Sequence, residues 1–299
     1  MTQVLPPAVV GSLSPSRAAD FKTCPLLYRF RTIDRIPEPP SLVATRGTLV
    51  HAVLEELFAL PAPERTLEQA RAMLPEAWER VRAEEPEVSA LFGSDAGGPE
   101  LAEWLEGAAG LLANYFTLED PTRFEPESRE QLVEVVIGGG SSGNEGGAAG
   151  GGLRLRGYID RLDVSAAGDL RVVDYKTGSA PREAYEAKAL FQLKFYALVL
   201  WRTRGVVPRQ LKLMYLTDAD TLTASFDSDE LERFERTLKA IWSAISKATI
   251  AGDFRPNPGP LCNWCDHQAL CPAKGGTPPP FPYDALATST EDRRSADRP

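Results

Sequence analysis

The sequence predicts an α/β protein whose elements follow the order αβββαβ, with an acidic helical segment inserted after the first helix. Apolar residues recur at helical spacing in residues 47–60 and 184–203. The strand-like apolar runs lie at 131–137, 153–164, 170–176 and 210–217. Residues 64–118 are rich in Ala, Glu, Leu and Arg, a composition that favours two or three further helices.

The first part of the chain predicts helices. The run Ser14-Pro15-Ser16 is a helix start signal, and the helix that follows is interrupted near Pro25. In residues 47–60 the apolar side chains fall on one helix face, and they are Val50, Val53, Leu54 and Leu57.

The second part predicts the sheet. Runs 153–164 and 170–176 form a hairpin, because turn residues join them at Ser165–Asp169. Gly138–Gly152 is mostly glycine and predicts a flexible loop within one domain rather than a domain boundary. A last amphipathic helix over Leu231–Ile250 completes a single domain of residues 1–274, followed by a tail, 275–299, that we expect to be disordered.

The charge distribution bears on the class of partner. The chain has 299 residues with 33 basic and 42 acidic side chains, a net charge of −9 that by itself argues against nucleic acid. Residues 62–130, however, hold 6 basic and 16 acidic groups, so the rest of the chain has a net charge of +1. Residues 182–212 are locally basic, which leaves room for a phosphate-binding face.

Several observations bear on location. There is no run of about 18 apolar residues, so we expect no membrane span. The first residues lack a basic start followed by an apolar stretch, so we expect no secretory signal and a cytoplasmic protein. In a reducing cytoplasm, clustered cysteines indicate a metal site rather than disulfides.

A carboxylate–lysine group is the strongest chemical signal. In a strand, Asp174 and Lys176 project from one face and Tyr175 from the other. Pairing through the predicted turn brings Asp160 close to Asp174, and two such carboxylates favour Mg²⁺ or Mn²⁺ between them. A nearby ammonium can hold a water molecule or offset charge on an attacked phosphate. The alternative is a polar hairpin with an ordinary Asp–Lys ion pair.

Three motifs resemble those of the PD-(D/E)XK nuclease superfamily, in its RecB-like exonuclease branch. They are GYIDRLD (157–163), VVDYKTG (172–178) and the helix FQLKFYALVL (191–200). The histidine of GTLVH, His51, matches the early-helix histidine of that branch. The resemblance covers roughly residues 12–60 and 131–273, and leaves 61–130 outside it.

The resemblance implies a restriction-endonuclease-like core, a mixed central sheet flanked by helices. It also implies a role for each matching residue. Asp160 and Asp174 bind the metal, with help from His51 and the backbone carbonyl of Tyr175. Lys176 positions the attacking water and offsets charge on the phosphate.

Two residues of the following helix complete the implied site. Gln192 and Tyr196 are four apart, share a helix face, and would orient Lys176 or the DNA backbone. Glu134 in the first strand is a weaker acidic candidate, since a solvent-facing role explains it equally well.

The cysteines form a second candidate site. Cys262, Cys265 and Cys271 have the spacing C-x2-C-x5-C, and Cys24 lies far upstream. Spacing alone leaves zinc and an iron–sulfur cluster open. The resemblance implies a 4Fe-4S cluster that acts as a clasp between the N- and C-terminal parts. His267 lies between the ligands, where we expect it to be solvated or to contact a ligand.

The function implied is a metal-dependent DNA exonuclease acting on single-stranded ends in recombination or repair. Trp264 and Phe254, near the cysteines, are candidates to stack on bases, although packing explains them more simply. No G-x-x-x-x-G-K-[ST] run is present, so unwinding would need a separate helicase. The alternatives are a non-catalytic, cluster-stabilised DNA-binding or scaffold module, a zinc protein, and a CRISPR-associated exonuclease of the same branch.

Overall fold

The structure is a computed structural model that describes residues 11–92, 98–138, 152–181 and 186–282. Most of the predicted glycine-rich loop, and the predicted tail beyond 282, lie outside these residues. Within the described chain, no helix combines the length and the apolar character that a membrane crossing requires.

The chain packs as two compact units, each assembled from separate segments. The first comprises residues 1–39, 134–156 and 232–299, and the second comprises residues 40–133 and 157–231. The first unit contains all four cysteines, whereas the second contains His51 and the carboxylate–lysine group.

The N-terminal helix of the first unit is interrupted where the sequence predicts. Helix α1 (Pro15–Thr23) begins at Ser14, whose side chain accepts a hydrogen bond from the Arg17 backbone N–H. Cys24 then adopts an extended conformation, and α2 (Pro25–Tyr28) follows, continued by a π-helical turn (Arg29–Asp34). The proline therefore starts a new short helix and leaves the cysteine at the junction.

The second unit contains the helices predicted for residues 64–118. Helix α3 (Leu42–Leu57) is followed by α4 (Leu67–Glu84) and α5 (Pro99–Leu118). Their apolar faces form one buried core together with Val173, Tyr175 and Met214 of the sheet and with Leu216 just after it. The acidic residues of the segment lie mostly on the outer faces of these helices.

The sheet has five strands in the order in which they occur along the chain. They are β1 (Ser128–Ile137), β2 (Leu153–Val164), β3 (Leu170–Lys176), β4 (Gln210–Tyr215) and β5 (Asp220–Ala224). Helix α6 (Glu186–Arg204) links β3 to β4, which pair in parallel, whereas β2–β3 and β4–β5 are antiparallel. Helix α7 (Ser228–Ala251) follows. The result is the predicted mixed sheet flanked by helices, with one strand, β5, that the sequence did not predict.

The β2–β3 hairpin positions the candidate site. Its turn is closed by the Ser165 N–H, which donates to the Asp169 carbonyl at 3.0 Å. The ladder ends at the pair Arg161–Val173, and Asp160 lies just beyond that pair, beside the end of β3.

Candidate active site

Asp160 lies against the end of β3. Its Oδ2 accepts a hydrogen bond from the Tyr175 backbone N–H at 2.7 Å. Its side chain is only 10% exposed. This contact fixes the carboxylate beside the strand that holds Asp174 and Lys176, so the structure brings the predicted carboxylates together.

His51 approaches the same point from α3. Its Nε2 donates to the Tyr175 carbonyl at 3.0 Å, which turns Nδ1 toward Asp160 Oδ2 at 3.5 Å. A histidine held by a backbone carbonyl on one nitrogen presents the other nitrogen as a ligand. The Tyr175 carbonyl has two lone pairs, so this hydrogen bond leaves it able to bind a metal.

Asp174 is almost fully buried and both of its oxygens have partners. Oδ1 accepts from Gln192 Nε2 at 2.7 Å, and Oδ2 forms an ion pair with Lys176. Gln192 therefore contacts Asp174 rather than Lys176. Tyr196 lies one helical turn further along α6, with its hydroxyl 3.4 Å from the same Gln192 nitrogen.

Glu130 is a candidate ligand that the sequence analysis missed. Its carboxylate lies 3.7 Å from His51 Nδ1, and the ligand atoms of Glu130, His51 and Asp160 all lie within 4.8 Å of one another. Glu130 has a φ of 42°, a left-handed conformation that is strained for a residue other than glycine. The expected acidic residue of β1, Glu134, is exposed, and no pattern in the sequence distinguished Glu130 from it.

The pKa values of Asp160 and His51 are shifted because several charged groups lie close together in a buried site. Burial, and then the charge of Asp174, raises the pKa of Asp160 to about 7. Burial alone would lower the pKa of His51, but its hydrogen bond to Glu130 and the charges of Asp160 and Asp174 outweigh burial and raise it to about 9. Both pKa shifts show that negative charge is concentrated at this site. A bound cation would reduce the repulsion between the carboxylates.

The four cysteines line one cavity of about 460 Å³ in the first unit. None is in a disulfide, and each is half-buried. Backbone N–H groups of Asn257 and Gly259 donate to the sulfurs of Cys24 and Cys262, both at 3.3 Å. Burial raises the pKa of the Cys265 thiol, a hydrogen bond from the His267 backbone opposes this, and the other three cysteines add to the rise.

Three side chains near the cysteines differ in environment. His267 is buried rather than solvated, with Nε2 2.8 Å from Glu38 and its ring against Phe30. Phe254 is buried against Tyr28, which gives it a packing role. Trp264, by contrast, is 76% exposed.

The comparison with known families rests on nearly the whole length of the chain. Residues 12–272 match the PD-(D/E)XK nuclease superfamily. The chain belongs to this superfamily. PD-(D/E)XK nucleases use divalent metals, and this chain has a possible metal-binding group of His51, Glu130 and Asp160, built on α3, β1 and β2.

Relatives of this PD-(D/E)XK nuclease occur in phages. The Gene 69 protein of Mycobacterium phage D29 is 26% identical over 276 residues, which cover 87% of this chain and 96% of the phage protein. The Gene 69 protein of Mycobacterium phage L5 is 25% identical over 298 residues, with coverage of 87% and 95%. The crystal structure of SSO0001 aligns at 18% identity with a TM-score of 0.35, over 77% of this chain and 85% of that one.

Proposed function

We propose that this PD-(D/E)XK nuclease is a Mg²⁺- or Mn²⁺-dependent DNA exonuclease that hydrolyses phosphodiester bonds at single-stranded ends in recombination or repair. The observation that carries the proposal is the group formed by His51, Glu130 and Asp160 beside the Asp174–Lys176 ion pair. A role in binding alone would not require a lysine paired with a buried carboxylate next to three side chains able to bind a metal.

The residues present fit a hard divalent cation. Two carboxylates and one imidazole offer ligand atoms within 4.8 Å of one another, and the Tyr175 carbonyl is an additional oxygen at the same place. The sequence resemblance places Asp174 in the proposed ligand set, and its charge acts on both Asp160 and His51. When bound, such an ion lowers the pKa of a coordinated water and offsets charge on a phosphoryl oxygen.

Lys176 performs the complementary task in this proposal. The Lys176 side chain is 32% exposed, while its partner Asp174 is 3% exposed. The ammonium is therefore accessible to solvent while it is held by a buried carboxylate. In that position it can hold the attacking water by a hydrogen bond and stabilise the charge that develops on the phosphate. Gln192 and Tyr196 keep Asp174 in place from α6.

The cysteines are proposed to hold a 4Fe-4S cluster. The shared cavity of about 460 Å³ and the backbone N–H groups directed at two of the sulfurs support a metal centre held by these cysteines, and the sequence resemblance favours a cluster over zinc. Because Cys24 is 233 residues from Asn257, a cluster here would link the two ends of the chain as a clasp. Four free cysteines also support a reducing, cytoplasmic location.

Two features support the wider organisation of the proposal. A single family match runs from residue 12 to residue 272, which supports residues 1–274 acting as one nuclease domain. The exposed Trp264 offers a ring on which an unpaired base can stack, which supports single-stranded DNA as the substrate. Unwinding of duplex DNA is assigned to a separate helicase partner.

The test is cleavage of labelled single-stranded DNA with Mg²⁺, with Mn²⁺ and without metal. Lys176→Ala is expected to lower kcat by at least about 100-fold, because the charge on the phosphate loses its counter-charge. The matched control is Lys247→Ala, an exposed lysine of α7, which is expected to keep full activity. Metal-independent cleavage, or equal activity in both variants, would remove the catalytic proposal.

The cofactor has its own test. Anaerobically purified protein is expected to be brown and to contain about four irons and four sulfides per chain. Cys262→Ser should lose most of both. A colourless protein with one zinc per chain would show that the cluster assignment is wrong and would leave the nuclease proposal unaffected.

A further inference from the structure

The back face of the catalytic hairpin contains a fully buried arginine. Arg161 is 0% exposed and projects from β2 on the side opposite Asp160. Its guanidinium forms a two-point ion pair with Glu119 and contacts Asp163 at 3.1 Å. It also donates to the Tyr175 hydroxyl at 2.8 Å.

The buried charges in this group balance. Arg161 and Arg171 face Glu119 and Asp163, with Arg171 Nε 2.7 Å from Asp163 Oδ2. Tyr115 donates its hydroxyl to Glu119 at 2.8 Å, so that carboxylate is held from two sides. Buried charges are tolerated where opposite charges pair in this way.

Aromatic rings enclose the guanidinium and keep water from it. The Arg161 guanidinium carbon lies 4.8 Å from the centroid of the Phe124 ring and 5.1 Å from that of Phe58. This stacking restricts the guanidinium to one position. The hydroxyl that it holds, on Tyr175, is therefore held in one position as well.

Tyr175 joins this group to the candidate metal site. Its side chain points to Arg161, while its backbone N–H holds Asp160 and its backbone carbonyl holds His51. It also lies between Asp174 and Lys176 in the chain. A displacement of residue 175 would therefore move every proposed ligand on β2, β3 and α3 at once.

Glu119 comes from the helical segment between α3 and the sheet, outside the quoted sequence motifs. It directly follows α5 and is 42 residues from Arg161 in sequence. The helical insertion thus supplies the counter-charge without which Arg161 could not be buried.

We propose that Glu119 and Arg161 are positioning residues of the nuclease site: together they hold Tyr175, and through its backbone they set the geometry of the metal ligands. The helical segment of residues 62–130 then supports the active site from behind, through the contact of Glu119 with Arg161. This inference rests on the proposed function, since it concerns the metal site on which that function depends.

The experiment measures the Kd of Mn²⁺ for the full-length protein without DNA, by electron paramagnetic resonance of free Mn²⁺, together with Tm and cleavage kinetics. Tyr175→Phe removes only the hydroxyl that Arg161 holds, and Glu119→Gln removes only the counter-charge. Each is expected to raise the Mn²⁺ Kd by about tenfold or more, as loss of an outer contact to a metal ligand does. Each should also lower kcat with little change in KM.

Two further variants separate positioning from stability. Trp78→Leu perturbs the core of α4 without touching this group, so it should lower Tm and leave the Mn²⁺ Kd unchanged. The double variant Arg161→Met with Glu119→Gln removes one charge of each sign and leaves Asp163 paired with Arg171. It should recover Tm relative to Glu119→Gln alone, yet keep the weakened Kd, because Tyr175 stays unanchored.

The inference is overturned if Tyr175→Phe and Glu119→Gln lower Tm as Trp78→Leu does but leave the Mn²⁺ Kd within about twofold of the wild-type value. It is also overturned if the double variant recovers the Kd. Failure of the proposed function gives a different result: the wild-type protein would bind Mn²⁺ and cleave no DNA, and the Kd comparison would still decide the role of Arg161.

Discussion

Replacing a proposed catalytic carboxylate should stabilise the metal-free protein. Asp160 is 10% exposed and shares its surroundings with Asp174, and together these raise its pKa from 3.8 to about 7. Asn at this position keeps the shape and can still accept the hydrogen bond from the Tyr175 N–H. Asp160→Asn therefore removes a charge that the metal-free fold disfavours.

The magnitude follows from the size of the pKa shift. A shift from 3.8 to about 7 corresponds to roughly 4 kcal/mol between the two protonation states. The neutral amide has a desolvation cost of its own, so we expect a gain of about 2–4 kcal/mol in the free energy of unfolding at pH 8.

The raised pKa of Asp160 also determines how the stability difference between Asp160→Asn and wild type depends on pH. Because the pKa of Asp160 is raised in the folded state, the stability associated with its proton is fully present below pH 3.8 and is lost as the pH rises to about 7. The difference between Asp160→Asn and wild type should thus be small near pH 4, grow up to about pH 7 and stay constant above it.

The assay is urea denaturation followed by circular dichroism, in metal-free buffer under anaerobic conditions, at three pH values across this window. The midpoint should rise for Asp160→Asn with an unchanged m value. Asp253→Asn, at an exposed ion pair with Arg255, is the matched control and should change stability by less than about 0.5 kcal/mol. Destabilisation of Asp160→Asn at pH 8 would refute the claim that Asp160 is buried beside a second carboxylate.

Three further results are expected. The Mn²⁺ Kd should fall at least about tenfold between pH 6 and pH 8, because the raised pKa of His51 and of Asp160 makes protons compete with the metal, and a constant Kd would contradict this. Lys176→Met should abolish cleavage but keep Mn²⁺ binding, as judged by the same titration, because its ammonium is not a ligand. Gly276→Ala should lower Tm and iron content, since its Cβ would lie 2.2 Å from the Ala269 carbonyl oxygen, whereas Gly259→Ala meets no atom within 4 Å and should be tolerated.

The sequence was sufficient where a local pattern determines the structure. The bounds of β2 and β3 follow from apolar alternation that ends in turn residues, and the observed strands Leu153–Val164 and Leu170–Lys176 have those bounds. The hairpin then places Asp160 beside the end of β3, near Asp174. The interruption at Pro25 likewise follows from the missing N–H of proline.

The sequence was insufficient where tertiary contacts decide. Glu130 lies in the proposed metal group, and its backbone at the start of β1 is in a left-handed conformation. No residue pattern in the sequence predicts that conformation. Arg161 and Glu119 meet across 42 residues, and the second lies in a segment without a family motif. Strand β5 is short and largely exposed, so it lacks the apolar run by which the other strands were predicted.

The central claim is that β1, β2 and α3 assemble one divalent-metal site beside the end of β3. The most direct measurement is a crystal structure of the Mn²⁺-loaded protein with the anomalous signal of manganese. The account predicts a peak in contact with carboxylate oxygens of Asp160 and Glu130 and with His51 Nδ1. A manganese peak elsewhere on the protein, with these three side chains hydrogen-bonded only to one another, would contradict it.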